Sequence, residues 1–339
     1  MTDPRGPAPL AGSAVSTVGP WLIDAHDALL LDLDGVVYVG PSPVGHAVEV
    51  LAEVRRRGVV TAYVTNNAAR PPSVVAEHLR SFGLEVADHD VVTSAQAGAR
   101  EVASRVPVGS RVLCVGGPGV SEAVRARGLE AVSGADDRPV AVLMGYGPDV
   151  SWRQLAEASY AVGAGALFVA TNTDLSIPTD RGIAPGNGTL VAAVSAATGR
   201  VPLVAGKPFA PLIRESVERV GSQRPLVVGD RLDTDIEAGH VSSIDSLLVL
   251  TGVTGVEELL AAPADRRPTY VAADLRGLLQ PSSASLIRRD GSPSQGDRLS
   301  SLRLACRRAW DAADSGQAVS VSATEIERLR DDVAAALHS

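Results

Sequence analysis

Lysine is almost absent from this chain. It occurs once, at Lys207, and the other thirty basic residues are arginine. Where arginine otherwise carries the positive charge, a lone ammonium points to a site that needs a compact point charge, such as one facing a phosphoryl oxygen. Biased composition is the competing explanation of that count. Asparagine is also scarce, at Asn66, Asn67, Asn172 and Asn187. The two cysteines, Cys114 and Cys306, have no neighbours at metal-ligand spacing, so no zinc site is implied. Aromatic residues make up 3%, which leaves packing to Ala, Val and Leu. A basic excess is missing too. The net charge of −8 argues against a general nucleic-acid binder, though not against a local cationic pocket for a small anion. No window approaches the ~18 uninterrupted apolar residues of a membrane span. The first twenty residues, broken by Pro and Gly, lack the apolar stretch of a signal peptide. The expected location is the cytoplasm.

What is present is a chain of 339 residues, 45% hydrophobic, which suffices for a buried core and more than one domain. From Ala28 to Leu33 runs ALLLDL, short and continuous like a parallel strand buried on both faces. GHAVEVLAEVRRRG follows, with Ala47, Val50, Leu51 and Val54 at helical spacing and Arg55 to Arg57 in the last turn, where cations suit the helix dipole. VVTAYVT is a second strand ending at Thr65, and the three segments make a βαβ unit of a parallel sheet. PLVVGD, SLLVL and TYVAADL read as further strands. Between the two series, RVLCVGG, VSEAVRARGL, VAVLMGYG, SWRQLAEASYAV and ALFVATNTD alternate again, as a second α/β domain inserted into the first. The expected division is a core of 20–96 and 201–280, an insertion of 97–200, and a linker with a mostly helical extension over 281–339. In that extension RLSSLRLACRRAWDAAD and SATEIERLRDDVAAAL read as amphipathic helices, with Ser322 and Glu325 spaced for a capping box.

Asp32 and Asp34 stand at the end of the first strand, where ligands bind in open α/β sheets. Two apart, they point to one side of an extended chain and repel unless a cation or proton intervenes. Alone, such a pair is a weak signal, most simply read as an acidic strand-to-turn pair. Its partners strengthen it. Thr65-Asn66-Asn67 closes the next strand, 33 residues after Asp32, and its hydroxyl and backbone amides can hold phosphate oxygens. Lys207 lies in AGKP, and 23 residues later Gly229-Asp230-Arg231-Leu232-Asp233-Thr234-Asp235 stands at another strand end. A carboxylate cluster for Mg²⁺, a hydroxyl and a cation at one sheet edge are the equipment of phosphoryl transfer.

DLDGVVY, VTNNA, AGKP and VGDRLDTDI resemble, in order, the four motifs of the haloacid dehalogenase superfamily, over about residues 25 to 275. The resemblance implies a Rossmann-like α/β core with a parallel sheet. Thirty-three residues between the first two motifs leave no room for a cap domain, whereas the 142 between Thr65 and Lys207 do. That spacing is similar to the class IIA, nitrophenyl-phosphatase-like members with an α/β cap of the C2 type. The Arg-rich composition, the PGNGTL segment and the C-terminal extension most resemble the actinobacterial glycerol 3-phosphate phosphatases. The family implies roles: Asp32 as nucleophile, and Asp34 as the acid for the leaving alkoxide and then the base for water. Mg²⁺ would be held by the Asp32 carboxylate, the Asp34 carbonyl and Asp230. Thr65, the Asn66 amide and Lys207 would bind phosphate, with Asp235 and Asp233 orienting the metal waters or Lys207 from behind. Asp34 favours a phosphate ester over a haloacid, since halide leaves unprotonated.

Gly116-Gly117-Pro118-Gly119 lacks nucleotide-loop spacing and Pro118 lacks an amide donor, so a turn of the inserted domain is expected there. Asn172 and Asp174 in TNTD and Asn187 in PGNG are candidates for lining the mouth, with loop capping as their alternative role, and Asn67 is a further candidate for substrate binding. The expected partner is a small phosphorylated metabolite, with glycerol 3-phosphate or a similar polyol phosphate ahead of phosphoglycolate or a broad range. A scaffold that has kept the fold is the rival of another class, disfavoured by the intact set Asp32, Asp34, Lys207 and Asp230. The tail helices need a covering surface, either the core or a partner chain in a homodimer.

Overall fold

The computed structural model describes residues 21–179, 181–282, 287, 298–317 and 321–339. The expected leader and most of the expected linker lie outside these residues. Apart from a short hairpin of Tyr38–Val39 with Ser42–Pro43, the strands, in chain order, are β1 (Ala28–Leu31), β2 (Val60–Thr65), β3 (Val91–Thr93), β4 (Arg111–Val115), β5 (Glu130–Val132), β6 (Ala141–Met144), β7 (Leu167–Ala170), β8 (Ser176–Thr179), β9 (Gly182–Pro185), β10 (Leu203–Val204), β11 (Pro225–Gly229), β12 (Ser246–Val249) and β13 (Tyr270–Ala272). Six of them form one parallel sheet in the order β13-β12-β11-β1-β2-β3. All four residues of β1 are buried, as a central strand covered on both faces requires. The register sets Leu31 between Val228 and Tyr63, so Asp32, Asp230 and Thr65 emerge along one carboxyl edge. The chain order of this sheet reverses beside β1, the kind of crevice where ligands bind.

A second parallel sheet, β10-β7-β6-β4-β5, is built by the insertion, and β8 and β9 add an antiparallel hairpin. Two details differ from the expected division. Helix Ser94–Ala103 runs across the line drawn at residue 97, and β10, assigned to the core from 201, pairs with β7 at the edge of the second sheet. A two-residue strand carries no periodicity to reveal its sheet.

Helix Ala47–Arg56 buries Ala47, Val50, Leu51 and Val54 as its spacing predicts, with Arg55 and Arg56 in the last turn. The tail forms helices Ser300–Asp314 and Ala323–Leu337. Both pack against the core. Leu302, Ala305, Ala309 and Trp310 pack with Leu248, Leu259 and Val271, and the Trp310 indole donates to the Leu259 carbonyl at 3.1 Å. Ser322 caps the last helix by accepting from the Glu325 amide at 3.2 Å, while the Glu325 carboxylate accepts from Arg308 at 3.1 Å. Cys114 and Cys306 are both free thiols.

Candidate active site

Lys207 sits at the centre of the carboxyl edge, 4% exposed. Its ammonium donates to Asp32 Oδ1 at 2.6 Å and to Asp235 Oδ1 at 2.5 Å. Asp230 completes the group: Asp32, Asp230 and Asp235 each present a carboxylate oxygen within 4.8 Å of the others. Three carboxylates and one ammonium sum to −2 when all are ionised, an imbalance that burial makes costly. Burial, with Asp235 and Asp230 against the pull of Lys207, therefore pushes Asp32 well above the usual carboxylate range. Burial and then Asp235 raise Asp230 to about 6. Burial alone would lower Lys207, but Asp235 and Asp32 outweigh it and hold the ammonium charged.

A divalent cation fits this set. Its charge cancels the excess, and the buried Asp230 Oδ1 has no hydrogen-bond partner, while Oδ2 accepts from the Val253 amide at 2.7 Å. Asp235 is occupied differently. Its Oδ2 accepts from the Arg231 amide at 3.2 Å and the Thr234 hydroxyl at 3.3 Å, so both oxygens already have donors. Its geometry is that of a residue positioning Lys207.

The second motif is a backbone device. Thr65 is buried and its hydroxyl oxygen accepts from the Asn67 amide at 3.1 Å. Asn66 clasps the Lys207 backbone from both sides, accepting from its amide at 2.8 Å and donating to its carbonyl at 3.1 Å. The Asn66 carbonyl accepts from Asn172 at 2.7 Å and from Ser94 at 2.6 Å. Asn187, in turn, donates to the Asn172 carbonyl at 2.8 Å, and the Asn67 oxygen accepts from the Ala69 amide at 2.9 Å. The three candidate asparagines thus hold loops, the alternative role weighed for Asn172 and Asn187: those two tie TNTD and PGNG to the second motif, and Asn67 bonds within it. Asp233 does not face Lys207 either. It takes two bonds from the Arg231 guanidinium, at 3.0 and 2.9 Å.

Asp34 stands exposed in the cleft next to the buried set. The protein around it raises its pKa by desolvation, against the pull of Arg70. Tyr38, left unassigned within DLDGVVY by sequence reasoning, donates its hydroxyl to Asp34 Oδ2 at 3.5 Å, with its ring packed against His78 and Phe82. The available signal was the need of a core tyrosine for a polar partner.

Residues 29–130 match the haloacid dehalogenase-like hydrolase family and residues 204–278 the HAD-hydrolase-like family. D-glycerol 3-phosphate phosphatase of Mycobacterium tuberculosis is 48% identical over 257 residues, covering 76% of this chain and 72% of its own. The chain belongs to the haloacid dehalogenase-like hydrolases. An acid sugar phosphatase of Staphylococcus saprophyticus is 37% identical, over 75% of this chain and 97% of its own. A crystal structure of the M. tuberculosis glycerol phosphate phosphatase in complex with magnesium superposes with a TM-score of 0.82 at 42% identity, covering 86% of this chain and 92% of that one. The p-nitrophenyl phosphatase of Archaeoglobus fulgidus superposes at 0.69 and 32% identity, covering 75% and 98%. This family member is a phosphatase, and its M. tuberculosis relative has been solved in complex with magnesium. No helix among the described residues is long and apolar enough to cross a membrane.

Proposed function

We propose that this phosphatase hydrolyses a small polyol phosphate, such as glycerol 3-phosphate, in the cytoplasm through an aspartyl-phosphate on Asp32. The observation that carries the reading is the buried Lys207 ammonium bridging Asp32 and Asp235 beside the unpartnered oxygen of Asp230. Asp32, Asp230 and the Asp34 carbonyl would hold Mg²⁺, which supplies the charge that lets an anionic carboxylate meet an anionic phosphoryl group. The Asp32 carboxylate attacks phosphorus and the bond to the ester oxygen breaks. Asp34 gives its proton to the leaving alkoxide, consistent with desolvation having raised its pKa. Asp34 then takes a proton from the water that opens the acyl phosphate, releasing inorganic phosphate and restoring Asp32. Lys207, Thr65 and the Asn66 amide hold the phosphoryl oxygens, and Asp235 fixes Lys207. The second sheet acts as the cap over this edge, excluding bulk water and selecting the alcohol.

The 48% identity to a D-glycerol 3-phosphate phosphatase supports the substrate class. The test is phosphate release from glycerol 3-phosphate, phosphoglycolate, pyridoxal phosphate and sugar phosphates by the wild type and Asp32→Asn. The wild type should prefer glycerol 3-phosphate and the folded variant should release no phosphate. Turnover by Asp32→Asn would sink the mechanism, and a preference for phosphoglycolate would sink the substrate.

A further inference from the structure

The segment between β7 and β8 brings one carboxylate from the second sheet to the catalytic edge. Asp174 follows β7, and its loop is held rigidly. Its amide donates to Asn172 Oδ1 at 3.2 Å, and its carbonyl accepts from the Gly188 amide at 2.9 Å. The backbone passes so close here that a Cβ on Gly188 would lie 2.1 Å from the Thr173 carbonyl oxygen. The Asp174 side chain reaches the second motif: Asn66 Nδ2 donates to Asp174 Oδ2 at 3.4 Å, and that same Asn66 clasps the Lys207 backbone. Asp174 is thus one side chain away from the phosphate-binding lysine.

What sets Asp174 apart is what it lacks. Among the described residues it forms no ion pair, and the long bond from Asn66 is its one side-chain hydrogen bond. An ionised carboxylate has about four acceptor positions. Arg231, the cation that acts on it most strongly, is committed to Asp233 through two bonds, and half-burial raises the Asp174 pKa. A rigid, half-buried carboxylate with free acceptor positions is a receptor for hydroxyl groups and a poor neighbour for a second carboxylate.

We propose that Asp174 is the specificity-determining residue of the site, accepting hydrogen bonds from the hydroxyl groups of the alcohol portion of the phosphate ester. This rests on the phosphatase reading and narrows it. Esters of polyols are admitted through their hydroxyls, and esters bearing a carboxylate, of the phosphoglycolate kind, are repelled. Unlike Asn172 and Asn187, whose amides are spent on backbone carbonyls, Asp174 keeps its acceptors for a ligand.

The test separates hydroxyl recognition from a merely structural latch. Values of kcat/KM are measured with Mg²⁺ for glycerol 3-phosphate and for n-propyl phosphate, which has the same carbon chain without the hydroxyls. Wild type, Asp174→Ala and the isosteric Asp174→Asn are compared. The wild type should favour the glycerol ester. Asp174→Ala should lose about ten-fold or more on that ester, the effect of one hydrogen bond to a charged group, and about three-fold or less on the propyl ester. Asp174→Asn, which keeps one acceptor oxygen and the shape, should fall between. If both esters decline equally in both variants, Asp174 is a latch and the proposal is overturned. No preference for the glycerol ester in the wild type overturns it as well. Hydrolysis of neither ester by the wild type would instead refute the function on which it rests.

Discussion

A single methyl group, added at a residue with no side chain of its own, should disable this site. Gly252 lies in the loop after β12, against Asp230. A Cβ there would stand 1.9 Å from Asp230 Oδ2, 2.5 Å from its Cγ and 2.7 Å from its Cβ. Ordinary contact needs about 3.5 Å, so the carboxylate must retreat by about 1.5 Å. It cannot do so and still accept from the Val253 amide at 2.7 Å. Nor can it keep a place in a Mg²⁺ shell, which demands oxygens at about 2.0–2.1 Å in near-octahedral array. Gly252→Ala should therefore cost about 1–3 kcal/mol in overpacking. It should lower kcat/KM by about a hundred-fold, the usual penalty of a 1 Å misplacement. Gly255→Ala, where a Cβ meets nothing within 4 Å, is the control. The assay is thermal melting with and without Mg²⁺, together with phosphate release. A Gly252→Ala protein with the wild-type rate and the wild-type Mg²⁺-induced rise in Tm would show that Asp230 is not a metal ligand.

Lys207→Arg keeps the charge but cannot fit a planar, longer head between two carboxylates at 2.5 and 2.6 Å, and kcat/KM should fall by about a hundred-fold or more; an unchanged rate would make the single lysine an accident of composition. Asp230 titrates in the fold at about 6, above its unfolded value of 3.8. In metal-free protein the stability tied to its protonation is thus present below about pH 4 and lost as pH rises through about 6. Mg²⁺ needs the deprotonated form, so its Tm increment should grow as pH rises through about 6, and an increment flat across that range would contradict the assignment. Trp310→Ala empties the contact between tail and core and should cost about 3–5 kcal/mol, read from denaturant melts, with kcat unchanged in the folded fraction; a stability loss below about 1 kcal/mol would mean that the tail is not an integral layer.

The strand ends were readable from the chain because they rest on local pattern. ALLL, bounded by Asp27 and Asp32, is buried in full, and the motifs at Asp32, Thr65 and Asp230 each follow an apolar run that the sheet register brings to one edge, whereas Lys207 follows β10 of the second sheet. The lone lysine was readable for another reason: a buried ammonium must be compensated, so it falls where carboxylates converge. The asparagines were not legible. Asn66, Asn172 and Asn187 hold loops from two different sheets, and nothing in TNTD or PGNG says which carbonyl each amide will meet. The family resemblance groups Asp233 with Asp235. The backbone after Arg231 turns as a helix, so residues two apart point to different sides, and one meets Lys207 while the other meets Arg231.

The same physics explains why the cap's contribution is the hardest part to read. Groups that bind phosphate and metal must balance charge among themselves, and that demand leaves a signature in composition and spacing. A group that recognises hydroxyls has no such internal partner. It is a polar side chain left with free acceptors by its own fold, so the sequence can name Asp174 only beside Asn172 and Asn187, and the hydrogen bonds are what separate it from them.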